Sequence, residues 1–205
     1  VLSMGPPQAD VALIEAIAMG ADEAILLSDR AFAGSDTWAT STAITAGIEH
    51  IADYDIIFCG RQAIDGDTAQ VGPQIAEHLG IPQITYVEDL EIEEEKVRAK
   101  RALEDGYFVV ESKLPVLITA IKELNEPRYP SIKGIYEAYK GGKIKVWSAK
   151  DVKADEMNIG LDGSPTQVNK SFTPPGRGGE SEILEGNPKE QARQLIVRLK
   201  EEKFI

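Results

Sequence analysis

Between residues 1 and 83, short apolar runs alternate with amphipathic stretches, and Pro, Gly or Asp stands at the joints. Leu2–Met4, Ala24–Leu27 and Ile56–Cys59 have the length and composition of strands. Between and after them, three sets of residues recur at helical spacing: Val11, Ile14, Ile17 and Ala18; Ile44, Ile48 and Ile51; and Ile75, Ala76 and Leu79. Pro6 and Pro7 stand where a helix opens, because proline lacks the N–H that a first turn leaves unpaired. Asp36 is placed to cap the second helix, and Gly20 and Gly80 can end the first and third. Ile56–Cys59 is apolar on both faces, which predicts a parallel sheet covered by helices. Repetition of this unit dictates an α/β fold with a doubly wound, mostly parallel sheet.

The pattern changes after residue 83. Ile84, Tyr86, Leu90 and Ile92 alternate with polar residues, Val97 and Ala99 do the same, and Tyr107–Val110 follow the turn signal Glu104-Asp105-Gly106. These predict an antiparallel hairpin insertion, with EIEEEKVRAK holding a solvated turn. Pro115–Ile121 returns to the buried sheet. A Pro-punctuated loop, a short helix over Ile135–Tyr139 and a strand near Ile144–Trp147 complete an α/β core over residues 1–147. Residues 150–186 are rich in Gly and Pro and cannot build a core of their own. They are expected to be disordered or to lie as an arm on a partner. The chain closes with a helix capped by Asn187 and Glu190, with Ala192, Leu195, Ile196 and Leu199 as its stripe. Residues 148–205 thus form an extended C-terminal arm and a terminal helix.

Composition removes several function classes. A net charge of −12 argues against a nucleic-acid partner, since neutralising phosphates needs a cationic face. No apolar run approaches the length of a membrane span. The single cysteine, Cys59, excludes an internal disulfide and fits a cytoplasmic setting. His50 and His78 have no second metal ligand nearby in sequence, and no nucleophile–base pair emerges from spacing. The chain reads as a binding scaffold that is not catalytic alone.

One stretch invites a ligand. Residues 60–73, GRQAIDGDTAQVGP, join the strand at 56–59 to the next helix. In an open parallel sheet, ligands bind beyond the carboxyl ends of strands. Gly60 and Gly66 would allow close approach or a positive φ. A helix starting near Thr68 would offer N–H groups to a phosphate, with Arg61 adding charge and Thr68 and Gln70 adding hydrogen bonds. The competing reading is an ordinary capping box over Asp67 to Gln70 that would consume those N–H groups.

GRQAIDGDTAQVGP read with LNEPRY at 124–129, together with SMGPPQA at 3–9 and AMGAD at 18–22, resembles the β (small) subunit of electron transfer flavoproteins. The resemblance implies an adenine-nucleotide-binding, Rossmann-like fold and a heterodimer with an α subunit that carries a flavin. It implies a nucleotide held by Gly60, Arg61, Gln62, Ala63, Ile64, Asp65, Gly66, Asp67, Thr68, Ala69, Gln70 and Val71, with Met4 beside them. Gln62, Asp65, Thr68 and Gln70 are the expected direct contacts. It further implies a partner-docking segment of Leu124, Asn125, Glu126, Pro127, Arg128, Tyr129 and Ile132. Ile132 would be the anchor that enters a dehydrogenase, against a reading from sequence alone as a core contact of the following helix.

The resemblance covers two types. In the respiratory type the nucleotide is AMP, and electrons come from acyl-CoA dehydrogenases. In the electron-bifurcating type it is FAD. That FAD accepts hydride from NADH, sends one electron to ferredoxin or flavodoxin, and sends the other through the α-subunit flavin to an acyl-CoA dehydrogenase. Gly66 and Ala69 stand where the respiratory pattern has larger polar groups, and with the tail SPTQVNKSFTPPGRGG they resemble the bifurcating type. Alternatives are the respiratory type, a non-redox adenine-nucleotide-binding interaction protein, and an α/β hydrolase. The family normally begins with a further strand–helix–strand segment, which is not in this sequence.

Overall fold

The elements of the computed structural model run β1 (Leu2–Met4), α1 (Asp10–Ala18), β2 (Ala24–Leu27), α2 (Thr37–Ile51), β3 (Ile56–Gly60), α3 (Val71–Leu79), β4 (Gln83–Ile92), β5 (Lys96–Leu103), β6 (Gly106–Lys113), β7 (Val116–Ala120), α4 (Ile132–Tyr139), β8 (Ile144–Trp147) and α5 (Pro188–Glu201). The structure describes residues 1–142, 144–173 and 183–205. The expected alternation of strand and helix is present, and so is the hairpin insertion. The strands form two sheets. One is parallel, in the order β1-β2-β8; the other is mixed, in the order β3-β7-β4-β5-β6. Within the mixed sheet β3, β7 and β4 are parallel, and β4, β5 and β6 are antiparallel.

β4 serves both halves of the mixed sheet. Gln83 and Ile84 pair with Leu117 and Ile118 of β7, the register then shifts, and Val87 onward pairs with β5. Ile84, Val87, Val97, Ala99, Val116 and Ile118 are buried together across these strands. Charged residues lie on the exposed side, where Lys100 meets Asp89 at 2.7 Å and Lys96 meets Glu93 and Glu111 at 3.4 Å. Exposed pairs of this kind contribute little each and mainly keep the hairpin soluble.

One expectation needs correction. β3 is not covered on both faces. Among the described residues its strand neighbour is β7 alone, and Phe58 is 53% exposed. Among the described residues β1 likewise pairs with β2 alone. α2 bridges the two strands: its Ile48 buries with Ile75 of α3 and Leu117 of β7, and Leu2 and Ile57 pack around them. An apolar four-residue run specifies a strand, but its neighbours come from elsewhere in the chain.

α4 is one turn longer than predicted. It opens at Ile132, where the Ser131 hydroxyl accepts from the Gly134 N–H at 2.9 Å. A Cβ at Gly134 would run into the Ala18 carbonyl oxygen, so glycine is what lets α4 cross α1 closely. Ala138 then buries beside Leu13 and Ile17.

Residues 1–167 form one compact unit and 168–205 another. The first therefore continues past residue 147, where composition suggests that the core ends. Ala149, Val152 and Ile159 bury with Ile25, Leu27, Phe32 and Ala43. Three small or branched apolar residues at irregular spacing suffice, and irregular spacing leaves no periodic trace. In the second unit Asn187 and Glu190 form the predicted capping box of α5. The residues PPGRGG at 174–179 lie outside the described residues.

Asp36 ties this segment to α2. Its carboxylate accepts from the N–H groups of Trp38 and Ala39, and from both the N–H and the hydroxyl of Thr166. Burial pushes this carboxyl up, but the bonds from Ala39, Thr166 and Trp38 outweigh it and hold it below the usual carboxylate range. A depressed native value means that the stabilisation is complete above the unfolded value and is lost as pH falls through the native one. Asp36→Ala is expected to lower the unfolding free energy by about 1 kcal/mol at neutral pH, read by urea titration. The gap between variant and parent should shrink below about pH 4.

Candidate functional site

β3 delivers the chain to a loop that does not become helical at Thr68. Asp67 and Ala69 have φ of +50° and +53°, in the left-handed region, and two such residues stop a helix from forming until Val71. Gln70 is the N-cap, but its side chain does not cap; its Oε1 accepts from the Thr37 hydroxyl at 2.9 Å. Asp67 does not cap either. Its carboxylate accepts from the Gln62 side-chain amide, and the Asp67 N–H donates to the Ala63 carbonyl at 3.1 Å. The capping-box reading is therefore overturned. Pro73 has no N–H, so the open donors of the first turn are those of Val71 and Gly72. An uncapped helix start carries a partial positive charge and suits an anion.

The glycines act differently from the expectation. Neither Gly60 nor Gly66 has a positive φ. A Cβ at Gly60 would meet nothing within 4 Å, and one at Gly66 only the Thr68 methyl at 3.9 Å, so both leave open space. The glycine that matters for packing is Gly72. A Cβ there would stand 2.8 Å from Thr119 Cγ2 and 3.4 Å from Cys59 Cβ. Its bareness lets the start of α3 press onto the ends of β3 and β7. A glycine at the second position of an amphipathic helix is the signal that could have identified it. Thr37 is a further residue that sequence reasoning missed; it pins the start of α2 to the start of α3.

Arg61, Gln62, Ile64 and Asp67 line an open cleft of about 700 Å³ with Glu88, Ala120 and Lys122. Arg61 Nε donates to Gln62 Oε1 at 3.0 Å. Asp65, exposed on the loop, accepts from the Gly66 N–H at 2.8 Å. Ile64 is fully exposed. Met4 lies elsewhere: with Gly5, Pro6, Ser28, Phe32 and Gly34 it lines a mostly apolar cleft of about 620 Å³ beyond the ends of β1 and β2. The structure thus brings Arg61, Gln62, Ile64 and Asp67 to one cleft, but places neither Thr68–Val71 nor Met4 among the residues lining it. The Thr37–Gln70 bond links the segments that border the two.

The proposed docking segment follows β7. Leu124 packs against the buried cluster of the mixed sheet. Asn125, Glu126, Pro127, Arg128 and Tyr129 are exposed, and Arg128 lies near Gly20. Ile132 is 89% exposed, so it is not a core contact of α4. Tyr129 is 95% exposed.

The remaining reactive side chains have structural partners or are partly covered. His50 meets the Trp147 ring, and His78 meets Trp38, with its Nε2 3.2 Å from the Ser41 hydroxyl. Burial pushes the Cys59 thiol up, away from the reactive thiolate. Among the described residues no three His, Cys, Asp or Glu side chains converge for a metal.

Gly72→Ala should therefore lower stability by about 1–3 kcal/mol, measured by denaturant unfolding, because the added methyl overlaps Thr119. Thr119→Ser, which removes the opposing methyl, should recover most of that loss in the double variant.

Comparison with known proteins agrees with this architecture. Residues 1–152 match the electron transfer flavoprotein domain. The chain is 58% identical over 205 residues to the electron transfer flavoprotein subunit beta of Clostridium acetobutylicum, covering all of this chain and 78% of that one. It is 52% identical over 205 residues to the caffeyl-CoA reductase-Etf complex subunit CarD of Acetobacterium woodii, with the same coverage. It is 48% identical over 210 residues to the acryloyl-CoA reductase electron transfer subunit gamma of Anaerotignum propionicum, covering all of this chain and 78% of that one. The chain belongs to the electron transfer flavoprotein family, among its β subunits.

Proposed function

We propose that the chain binds an adenine-bearing cofactor on the loop after β3 and transfers electrons only as part of an αβ heterodimer. The observation that carries this is the start of α3, which no side chain caps although Asp67 and Gln70 are at hand. Both side chains are engaged elsewhere, and the N–H groups of Val71 and Gly72 stay available. These two groups and the Arg61 guanidinium would hold phosphate. Thr68 and the Gln70 amide would reach ribose or phosphate, and Gly60, Gly66 and Ala69 give the room that a diphosphate needs. The apolar cleft beside Met4 suits a ring system at the other end of a dinucleotide. No described helix is long and apolar enough to cross a membrane.

FAD is the proposed cofactor, and it supplies one- and two-electron chemistry when bound. In this reading NADH is the donor, and its two electrons part. One goes to ferredoxin or flavodoxin, and the other goes through the α-subunit flavin to an acyl-CoA dehydrogenase. Small residues at 66 and 69 support FAD over AMP. So do the names of two relatives, which place them with caffeyl-CoA and acryloyl-CoA reductases. This chain's part is to bind, to orient, and to dock. The exposed Ile132, at the start of α4, is the proposed anchor for the dehydrogenase, since one apolar side chain filling a partner pocket often dominates such an interface.

The test of the cofactor is a count. The purified αβ pair, made with the full-length subunits, should release two FAD per heterodimer on denaturation. One FAD and one AMP would replace bifurcation with the respiratory reading, and no adenine nucleotide beyond the α-subunit FAD would leave only a non-redox scaffold. Docking is tested separately. Ile132→Asp should weaken binding of the partner dehydrogenase at least about tenfold by calorimetry, with cofactor content unchanged. Equal affinity would move the anchor elsewhere.

A further inference from the structure

β4 bulges against β7 at Tyr86. Ile84 pairs with Ile118, Val87 pairs with Ala120, and the two residues between them bulge out of register. Within that bulge Tyr86 has φ +57°. A bulky residue occupies the left-handed region at an energetic cost and stays there only when its surroundings hold it. Here they do. The Tyr86 N–H donates to the Thr119 hydroxyl at 3.1 Å, and the Ile121 N–H donates to the Val87 carbonyl at 3.2 Å. Ile84 and Val87, on either side, are buried. A register shift needs no tyrosine, and glycine would suit the dihedral better.

The side chain offers a reason. The Arg61 guanidinium carbon lies 5.3 Å from the centre of the Tyr86 ring, within range of a cation–π contact. Arg61 is the first residue after β3, at the start of the cofactor loop. Its Nε donates to Gln62, and Gln62 in turn donates to Asp67. Among the described residues no carboxylate lies within ion-pair distance of Arg61. The ring and the Gln62 amide therefore orient the guanidinium without neutralising it. Arginine suits this arrangement because its planar group can stack on a ring and still present N–H donors at its edge.

We infer that Tyr86 is a positioning residue that holds Arg61 for the phosphate of an adenine nucleotide bound at residues 60–72. This rests on the nucleotide reading above. Tyr86 itself touches no ligand; it acts through Arg61.

The αβ heterodimer, stripped of nucleotide, can be titrated with AMP and with adenosine, which differ only in the phosphate. The readout is the ratio of the two affinities, which a merely structural residue would not move. Tyr86→Gly removes the ring while giving the backbone a residue at ease with φ +57°. It should reduce the AMP-to-adenosine preference about fivefold, leaving adenosine binding in place. Arg61→Gln should reduce the preference at least as far, and adding Tyr86→Gly to it should reduce it no further. Tyr86→Phe, which keeps the ring, should retain the parent ratio. Tyr86→Leu provides the same test should the glycine variant fold poorly. An unchanged ratio in the Gly and Leu variants, or losses that add in the double variant, would overturn the inference and leave nucleotide binding intact. A parent heterodimer that binds neither AMP nor FAD at this site would overturn the functional reading, and this inference with it.

Discussion

The site depends on a missing methyl group. Gly72 lies over Thr119 and Cys59 with no room for a Cβ, and that contact holds the start of α3 against the ends of β3 and β7. A helix start placed there carries its unpaired N–H groups to the end of the parallel strands, where helix dipole and open loop meet. Any side chain at 72 would push the helix away and take those donors with it. Thr119 belongs to the same contact: its methyl abuts Gly72 and its hydroxyl accepts from Tyr86. One threonine thus couples the packing of α3 to the bulge in β4.

The loop is organised by side chains turned on one another. Asp67 accepts from Gln62, Gln62 accepts from Arg61, and Gln70 accepts from Thr37. The bonds to Asp67 and Gln70 engage two side chains that could otherwise cap the start of α3. In a chain of net charge −12, an anion site has to be made locally. For the proposed site the local sources are backbone N–H groups and Arg61, which has no carboxylate within ion-pair distance among the described residues. Long-range attraction plays no part in that account.

The element order was legible because strand and helix periodicities differ, and because Asp36, Asn187, Gly20 and Gly80 mark ends by known backbone chemistry. The 60–71 loop stood out because glycines and aspartates follow an apolar strand. Other features left no such trace. Asp67 and Ala69 adopt left-handed conformations that neither residue advertises. Tyr86 looked like one more alternating strand residue. Ala149, Val152 and Ile159 lie in a stretch too poor in apolar residues to suggest a core, yet they close one side of the parallel sheet. Tyr86 and the Ala149–Ile159 stretch depend on contacts between residues far apart in the chain, such as Tyr86 with Thr119 or Ile159 with Phe32, and local pattern does not report those.

Sequence by itself determined the α/β class, the hairpin, the capped ends of α2 and α5 and the phrases that mark the family, because all of these arise from neighbouring residues. Tertiary structure alone decided that β1 and β3 belong to two different sheets, that Met4 lines a different cleft from Arg61, and that Ile132 is exposed. It also decided which of two uses the N–H groups of α3 would have. A capping box and an open anion site can be written with the same residues; the distant hydroxyl of Thr37 and the side chain of Gln62 draw Gln70 and Asp67 away and leave the helix start open.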